Sequence, residues 1–143
     1  MPYEDEEPPY QDRPVMEPDP QLDAPASAVI GAAIEVHRNL GPGLDEILYE
    51  SGLCLEFGLR GILFARQVIV PVVYKGVVIG EKRIDLIVDN RLVVELKAVE
   101  AITTLHKAQL HTYLTILKLK LGLLINFNCP VPKDGIKRVV NRM

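Results

Sequence analysis

The sequence predicts a single mixed α/β domain in which helices cover a sheet, with elements in the order ααβββαβ and a closing β segment after them. Two observations carry this. At 143 residues, 48% hydrophobic and 24% charged, the chain has the length and composition of one packed core. Its apolar residues recur at helical spacing up to about residue 60, then as short β-branched runs, and then at helical spacing once more. Nothing repeats internally.

Each element has its own warrant. Residues 26–40 place Ile30, Ala33, Ile34 and His37 at helical spacing, with Ser27 as an N-cap and Gly41-Pro42-Gly43 as the break. A second helix is expected over residues 45–59, its apolar face made by Ile47, Leu48, Leu53, Leu55 and Leu59, with Gly61 just past its end. Residues 63–74 hold Val68, Ile69, Val70, Val72 and Val73 and read as a strand; Pro71 within it calls for an edge position or a bulge. Lys75-Gly76 turns the chain into residues 77–79, and residues 82–88, a corner at Asp89-Asn90-Arg91 and residues 92–99 complete three antiparallel strands. Thr103 or Thr104 caps a third helix over about residues 105–117, with Leu105, Ala108, Leu110, Leu114 and Leu117 as its apolar positions. Residues 119–126 read as a buried strand and residues 136–140 as a final one.

Charge is unevenly spread. Residues 1–25 hold eight acids against one base, Arg13, whereas the remaining 118 residues hold 15 Lys/Arg against 11 Asp/Glu. That first stretch also carries seven of the 11 prolines, so it is predicted to be a disordered acidic tail preceding a domain at 26–143. The acidic, proline-rich start lacks the pattern of a secretory signal, and no apolar run approaches the roughly 18 residues of a membrane span. Cys54 and Cys129 read as reduced core residues, which makes the cytoplasm the expected compartment.

The chemistry concentrates in Arg83-Ile84-Asp85-Leu86-Ile87-Val88 and Leu92-Val93-Val94-Glu95-Leu96-Lys97. Apolar residues nearly fill both strands, so Asp85, Glu95 and Lys97 stand where a core strand would hold none. Strand alternation puts Glu95 and Lys97 on one face. A three-residue corner pairs Val88 with Leu92, and hence Asp85 with Glu95 and Arg83 with Lys97, and it requires positive φ at Asn90 or Arg91; a two-residue corner would split the cluster. Carboxylates about 5 Å apart at Cβ repel unless a cation lies between them, and oxygen ligands suit Mg²⁺ or Mn²⁺. Lys97 could then orient a water and neutralise charge on a phosphate. The competing reading is a cross-strand salt-bridge cluster on a sheet surface.

Asp85 followed by Glu95-Leu96-Lys97 resembles the D…(D/E)xK signature of the PD-(D/E)XK nuclease superfamily. Gly43-Leu44-Asp45-Glu46-Ile47-Leu48-Tyr49 resembles the GxxExxY signature of a small prokaryotic family within it, and Gln109-x-x-x-Tyr113 the QxxxY motif of its RecB-like branch. The likeness runs over about residues 29–141, with Ile84 in place of the usual proline before the aspartate. It implies a restriction-endonuclease-like αβββαβ core, a mixed central sheet flanked by helices. It also implies a metal held by Asp85, Glu95, the Leu96 carbonyl and Glu46, with Lys97 as the catalytic lysine. Gln109 and Tyr113, one helical turn apart, would contact the lysine, a ligand or the nucleic-acid backbone, and Arg83 would either bind phosphate or balance the carboxylates.

The expectation is a Mg²⁺- or Mn²⁺-dependent nuclease acting on DNA sooner than RNA, with homodimerisation open. The alternative is a catalytically silent nucleic-acid- or partner-binding module that keeps the fold. His106 and His111, five apart, do not share a helix face and His37 lies in another helix, which makes them poor zinc ligands; His106, one turn before Gln109, could line the cleft but reads first as a solvated histidine. The modest positive balance of the domain does not by itself identify a nucleic-acid binder.

Overall fold

The structure is a computed structural model and describes residues 22–142. The expected tail lies outside the described residues, except for its last four positions. Among the described residues, no helix is long and apolar enough to cross a membrane.

The elements in chain order are α1 (Asp23–Leu40), α2 (Glu46–Arg60), β1 (Phe64–Tyr74), β2 (Val77–Val88), β3 (Leu92–Lys97), α3 (Thr104–Leu117), β4 (Leu121–Asn126), a 3₁₀ turn (Pro132–Gly135) and β5 (Ile136–Val140). The five strands lie side by side in chain order; β3 and β4 run parallel and the other neighbours antiparallel. Alternate residues of β3 and β4 feed two cores. Leu92, Val94, Leu96, Leu121, Leu123 and Ile125 pack with α1 and α2, whereas Val93 and Leu124 pack with Leu110, Tyr113 and Leu114 of α3. Helices therefore cover both faces of a mixed sheet, as the αβββαβ expectation requires.

Local chemistry explains most of the boundaries. Helix α1 begins three residues earlier than expected, so Ser27 is interior to it and Leu22 sits at the N-cap with no side-chain cap. Pro25 is harmless there because the first turn has no intrahelical N–H bond to lose. Helix α2 ends on Gly61 at φ 71, the left-handed stop that glycine permits. Its buried stripe is Tyr49, Leu53 and Phe57, while Ile47, Leu48, Leu55 and Leu59, expected on the core face, are exposed. Helix α3 starts at a Thr103 cap. Its Leu105, expected inside, is exposed.

Strand β1 is an edge strand with a register shift between Val72 and Val73, so Pro71 costs the sheet no central hydrogen bond. Residues 77–79 and 82–88 form one continuous strand. The two-residue turn Lys75-Gly76 has positive φ at both positions, 49° and 79°. The β2–β3 corner pairs Val88 with Leu92, with positive φ at Asp89 and Asn90 but not Arg91. Both cysteines are free thiols.

Gly135 is the tightest of the glycines among the described residues. A Cβ there would lie 2.1 Å from the Asn126 backbone oxygen, and Asn126 pairs with Lys97 across the sheet. Gly135→Ala must therefore push the 3₁₀ turn off β4. A loss of about 3 kcal/mol is expected in chemical denaturation, at the upper end for overpacking, and a loss below about 1 kcal/mol would show that the turn adjusts freely.

Candidate active site

The β2–β3 ladder ends at Leu86↔Val94, one pair short of Asp85 and Glu95. Beyond it, side chains take over the main-chain pairing. The Asp85 N–H donates to Glu95 Oε1 at 3.0 Å, and the Leu96 N–H donates to Asp85 Oδ2 at 2.9 Å. The strands thus fork, and two carboxylates fill the fork. The N–H and C=O of one strand residue point the same way, so the Leu96 carbonyl is also directed toward β2, past the last ladder pair.

The fork has a second cause on its other side. Gln67 lies between the pairs Arg66↔Leu86 and Val68↔Ile84, level with Asp85, and has φ 54°. A left-handed residue there interrupts the β1–β2 ladder. Side-chain direction changes with it: Ile84 joins the core on the α3 side, whereas Leu86 and Val88 join the core against α1 and α2. Strict alternation would have put all three on one face.

Burial controls the electrostatics. Glu95 is 7% exposed, and its pKa is pushed up to about 8, by loss of solvent first and by the Asp85 charge second. The pKa of Asp85 is also raised, again by burial first, with a contribution from the nearby Glu50 carboxylate that outweighs the opposing pull of Lys97. Without a cation the pair is therefore held close to sharing a proton. Tyr113 reaches this pair from α3: burial, then Glu95, then Asp85 raise its phenol pKa.

Glu50 is a residue of the site that sequence reasoning missed. It is buried, receives the Arg66 Nε–H at 2.6 Å and the Gln67 amide at 2.7 Å, and so ties α2 to β1 beside Asp85. Its signal was its position four residues after Glu46, which puts both acids on one side of α2. Glu46 is the first residue of α2 and is exposed; its charge is felt by His106 of α3, as is that of Lys97. His106, expected first to be solvated, is half-buried and feels both charges.

Tyr49 of the GxxExxY phrase is a structural anchor. Its hydroxyl donates to the Gly41 carbonyl at 2.5 Å and accepts from the Leu44 N–H at 3.1 Å, and its ring stacks on Phe127 at 4.5 Å. It closes the glycine loop that sets the start of α2, and Glu46 with it. Asn126 performs a similar task after β3. Its amide donates to the Val99 carbonyl at 2.9 Å and its oxygen accepts from the Val99 N–H at 3.1 Å, fixing the chain that leaves Lys97.

Two candidates stand apart from the fork. Arg83 is exposed and pairs with Ile69 of β1; the ladder that would set it opposite Lys97 does not extend that far. Gln109 is exposed on α3. Among the described residues no three His, Cys, Asp or Glu side chains are grouped closely enough to hold a metal ion by themselves. What the fork offers is two carboxylates and a main-chain carbonyl. That donor set suits a hard cation which keeps several waters or phosphate oxygens, as Mg²⁺ does, and does not suit zinc.

A sequence model of the PD-(D/E)XK nuclease superfamily matches residues 23–139. No curated protein and no solved structure shows a significant match to the chain.

Proposed function

The chain belongs to the PD-(D/E)XK nuclease superfamily, and on that premise we propose that it is a metal-dependent nuclease hydrolysing phosphodiester bonds in DNA. The observation that carries the proposal is the fork, where the buried Glu95 and the half-buried Asp85 replace the ladder with Lys97 two residues further along β3. A purely structural sheet gains nothing from setting two carboxyl groups side by side where burial disfavours their charge.

In this reading Asp85, Glu95 and the Leu96 carbonyl would hold Mg²⁺ or Mn²⁺, with Glu46 reaching the ion through water. The bound cation supplies acidification of a water and neutralisation of phosphate charge. Lys97 shares the Glu95 face of β3, so its ammonium orients the attacking water and offsets charge on the phosphate. Tyr113 forms the wall behind the carboxylates. Gln109, exposed on α3, and Arg83, exposed on the β1–β2 arm, would meet the nucleic-acid backbone away from the scissile group. The GxxExxY and RecB-like affiliations rest on the Gly43–Tyr49 and Gln109–Tyr113 phrases alone. The free thiols of Cys54 and Cys129 fit a reducing compartment such as the cytoplasm.

The test is cleavage of labelled single- and double-stranded DNA and RNA with Mg²⁺, Mn²⁺ or chelator, beside calorimetric titration of the metal. Metal-dependent cutting is expected, with DNA preferred. Metal and nucleic-acid binding without cutting would instead identify a silent binding module, and no metal binding would leave only a structural cluster. Sedimentation of the same samples decides whether the active species is a homodimer.

A further inference from the structure

We propose that His106 is a substrate-contacting residue of this site, its Nε2–H donating a hydrogen bond to a non-bridging phosphate oxygen of the strand held beside Lys97. The proposal rests on the nuclease reading above and adds a residue to it.

The first observation is how the ring is held. The Thr103 N–H donates to His106 Nδ1 at 3.0 Å, and the His106 N–H donates to Thr103 Oγ1 at 3.2 Å, a reciprocal cap at the start of α3. Because Nδ1 is an acceptor, the proton of the neutral ring sits on Nε2. Glutamate or glutamine ordinarily fills this third helical position and satisfies the cap with one acceptor atom. A histidine does the same and in addition presents a fixed N–H on the far side of its ring.

The second observation is where that far side lies. His106, Leu110 and Tyr113 are spaced i, i+4 and i+7, the spacing of one helix face. Leu110 and Tyr113 are buried, and Tyr113 is near enough to Glu95 and Asp85 for their charges to raise its phenol pKa. His106 thus stands, half-buried, at the N-terminal end of the helix stripe that ends at Tyr113 near the fork. The Val99–Asn126 clamp holds the connection between Lys97 and Thr103, so the cap and the lysine keep a fixed relation. Desolvation first and the Lys97 charge second lower the pKa of the ring, against a weaker opposing pull from Glu46. The ring is therefore a neutral donor. Its fixed dipole, beside the Lys97 ammonium, is suited to a phosphate oxygen.

The test separates the cap from the donor. Wild type, His106→Ala, His106→Gln and His106→Glu are compared by thermal melting, by single-turnover cleavage with Mg²⁺, and by fluorescence anisotropy of the cleaved DNA in EDTA. His106→Glu keeps the cap acceptor and removes the donor; His106→Gln keeps the acceptor and carries an amide N–H. His106→Glu is expected to melt like wild type yet cleave about 100-fold more slowly and bind the metal-free DNA about fivefold more weakly, with His106→Gln intermediate. If His106→Glu cleaves and binds like wild type, the residue is only a cap and the proposal is overturned. Lys97→Ala run alongside keeps the two readings apart. Its inactivity beside an active His106→Glu refutes this inference alone, whereas a fully active Lys97→Ala, or a wild type that cuts nothing, refutes the nuclease reading and this inference with it.

Discussion

Lys97→Ala should cut DNA at least about 10³-fold more slowly than wild type in single-turnover assays while binding the same DNA within about tenfold. In the proposed mechanism the ammonium meets the charge that develops on the phosphate and holds the attacking water. Removing it strips stabilisation from the transition state far more than from the bound substrate. Asp85→Ala should be equally inactive for a different reason. It removes one of the two carboxylates and the acceptor of the Leu96 N–H, so its calorimetric metal signal should vanish, whereas that of Lys97→Ala should persist. Cleavage by Lys97→Ala within tenfold of wild type would remove the lysine from the mechanism.

Glu95→Gln should melt several degrees higher than wild type at pH 8 in chelator, although it is inactive with Mg²⁺. In the folded, metal-free chain Glu95 holds its proton up to about pH 8, against an ordinary value of 4.5, because burial and the Asp85 charge disfavour the carboxylate. Between those values the folded state binds more protons than the unfolded chain. The stability that comes with protonated Glu95 is complete below about pH 4.5 and is lost as pH rises through about 8. Asp85, also raised, acts in the same direction. The wild-type melting temperature in EDTA should therefore fall across that window, and the neutral amide should flatten the fall. Saturating Mg²⁺ at pH 8 should restore the wild type and leave the variant unmoved. A Glu95→Gln protein that melts lower than wild type at pH 8 would show that the carboxylate is not the source of strain.

Local signals in the sequence were enough to place most elements. Thr103 marks the start of α3, Gly61 the end of α2, and the three-residue corner sets the Val88↔Leu92 register that brings Asp85 to Glu95. The face of α2 was not legible. Its apolar residues form overlapping stripes, and the choice of Tyr49, Leu53 and Phe57 is made by contacts distant in sequence, with Tyr49 stacked on Phe127 and bonded to the Gly41 loop. The fork itself was only half legible. Register predicts two adjacent carboxylates, but the left-handed Gln67 that interrupts the neighbouring ladder carries no sequence mark, since glutamine does not favour that conformation. Glu50 was missed because an acid on a helix is ordinarily solvated, and only the Arg66 and Gln67 bonds show that it is buried.

The parallel pairing of β3 with β4 also governs when the site can exist. Two parallel neighbours cannot be joined by a tight turn, so α3 must form and cross the sheet before Glu95 meets Leu124 and Lys97 meets Asn126. Contacts of such separation, 27 residues for the Val99–Asn126 clamp, must overcome loop entropy before they hold the site together. A half-folded chain carries every acid and base of the site but holds them in no common place. The proposed hydrolytic site is thereby tied to completion of the sheet, and a chain without β4 pairing would lack it.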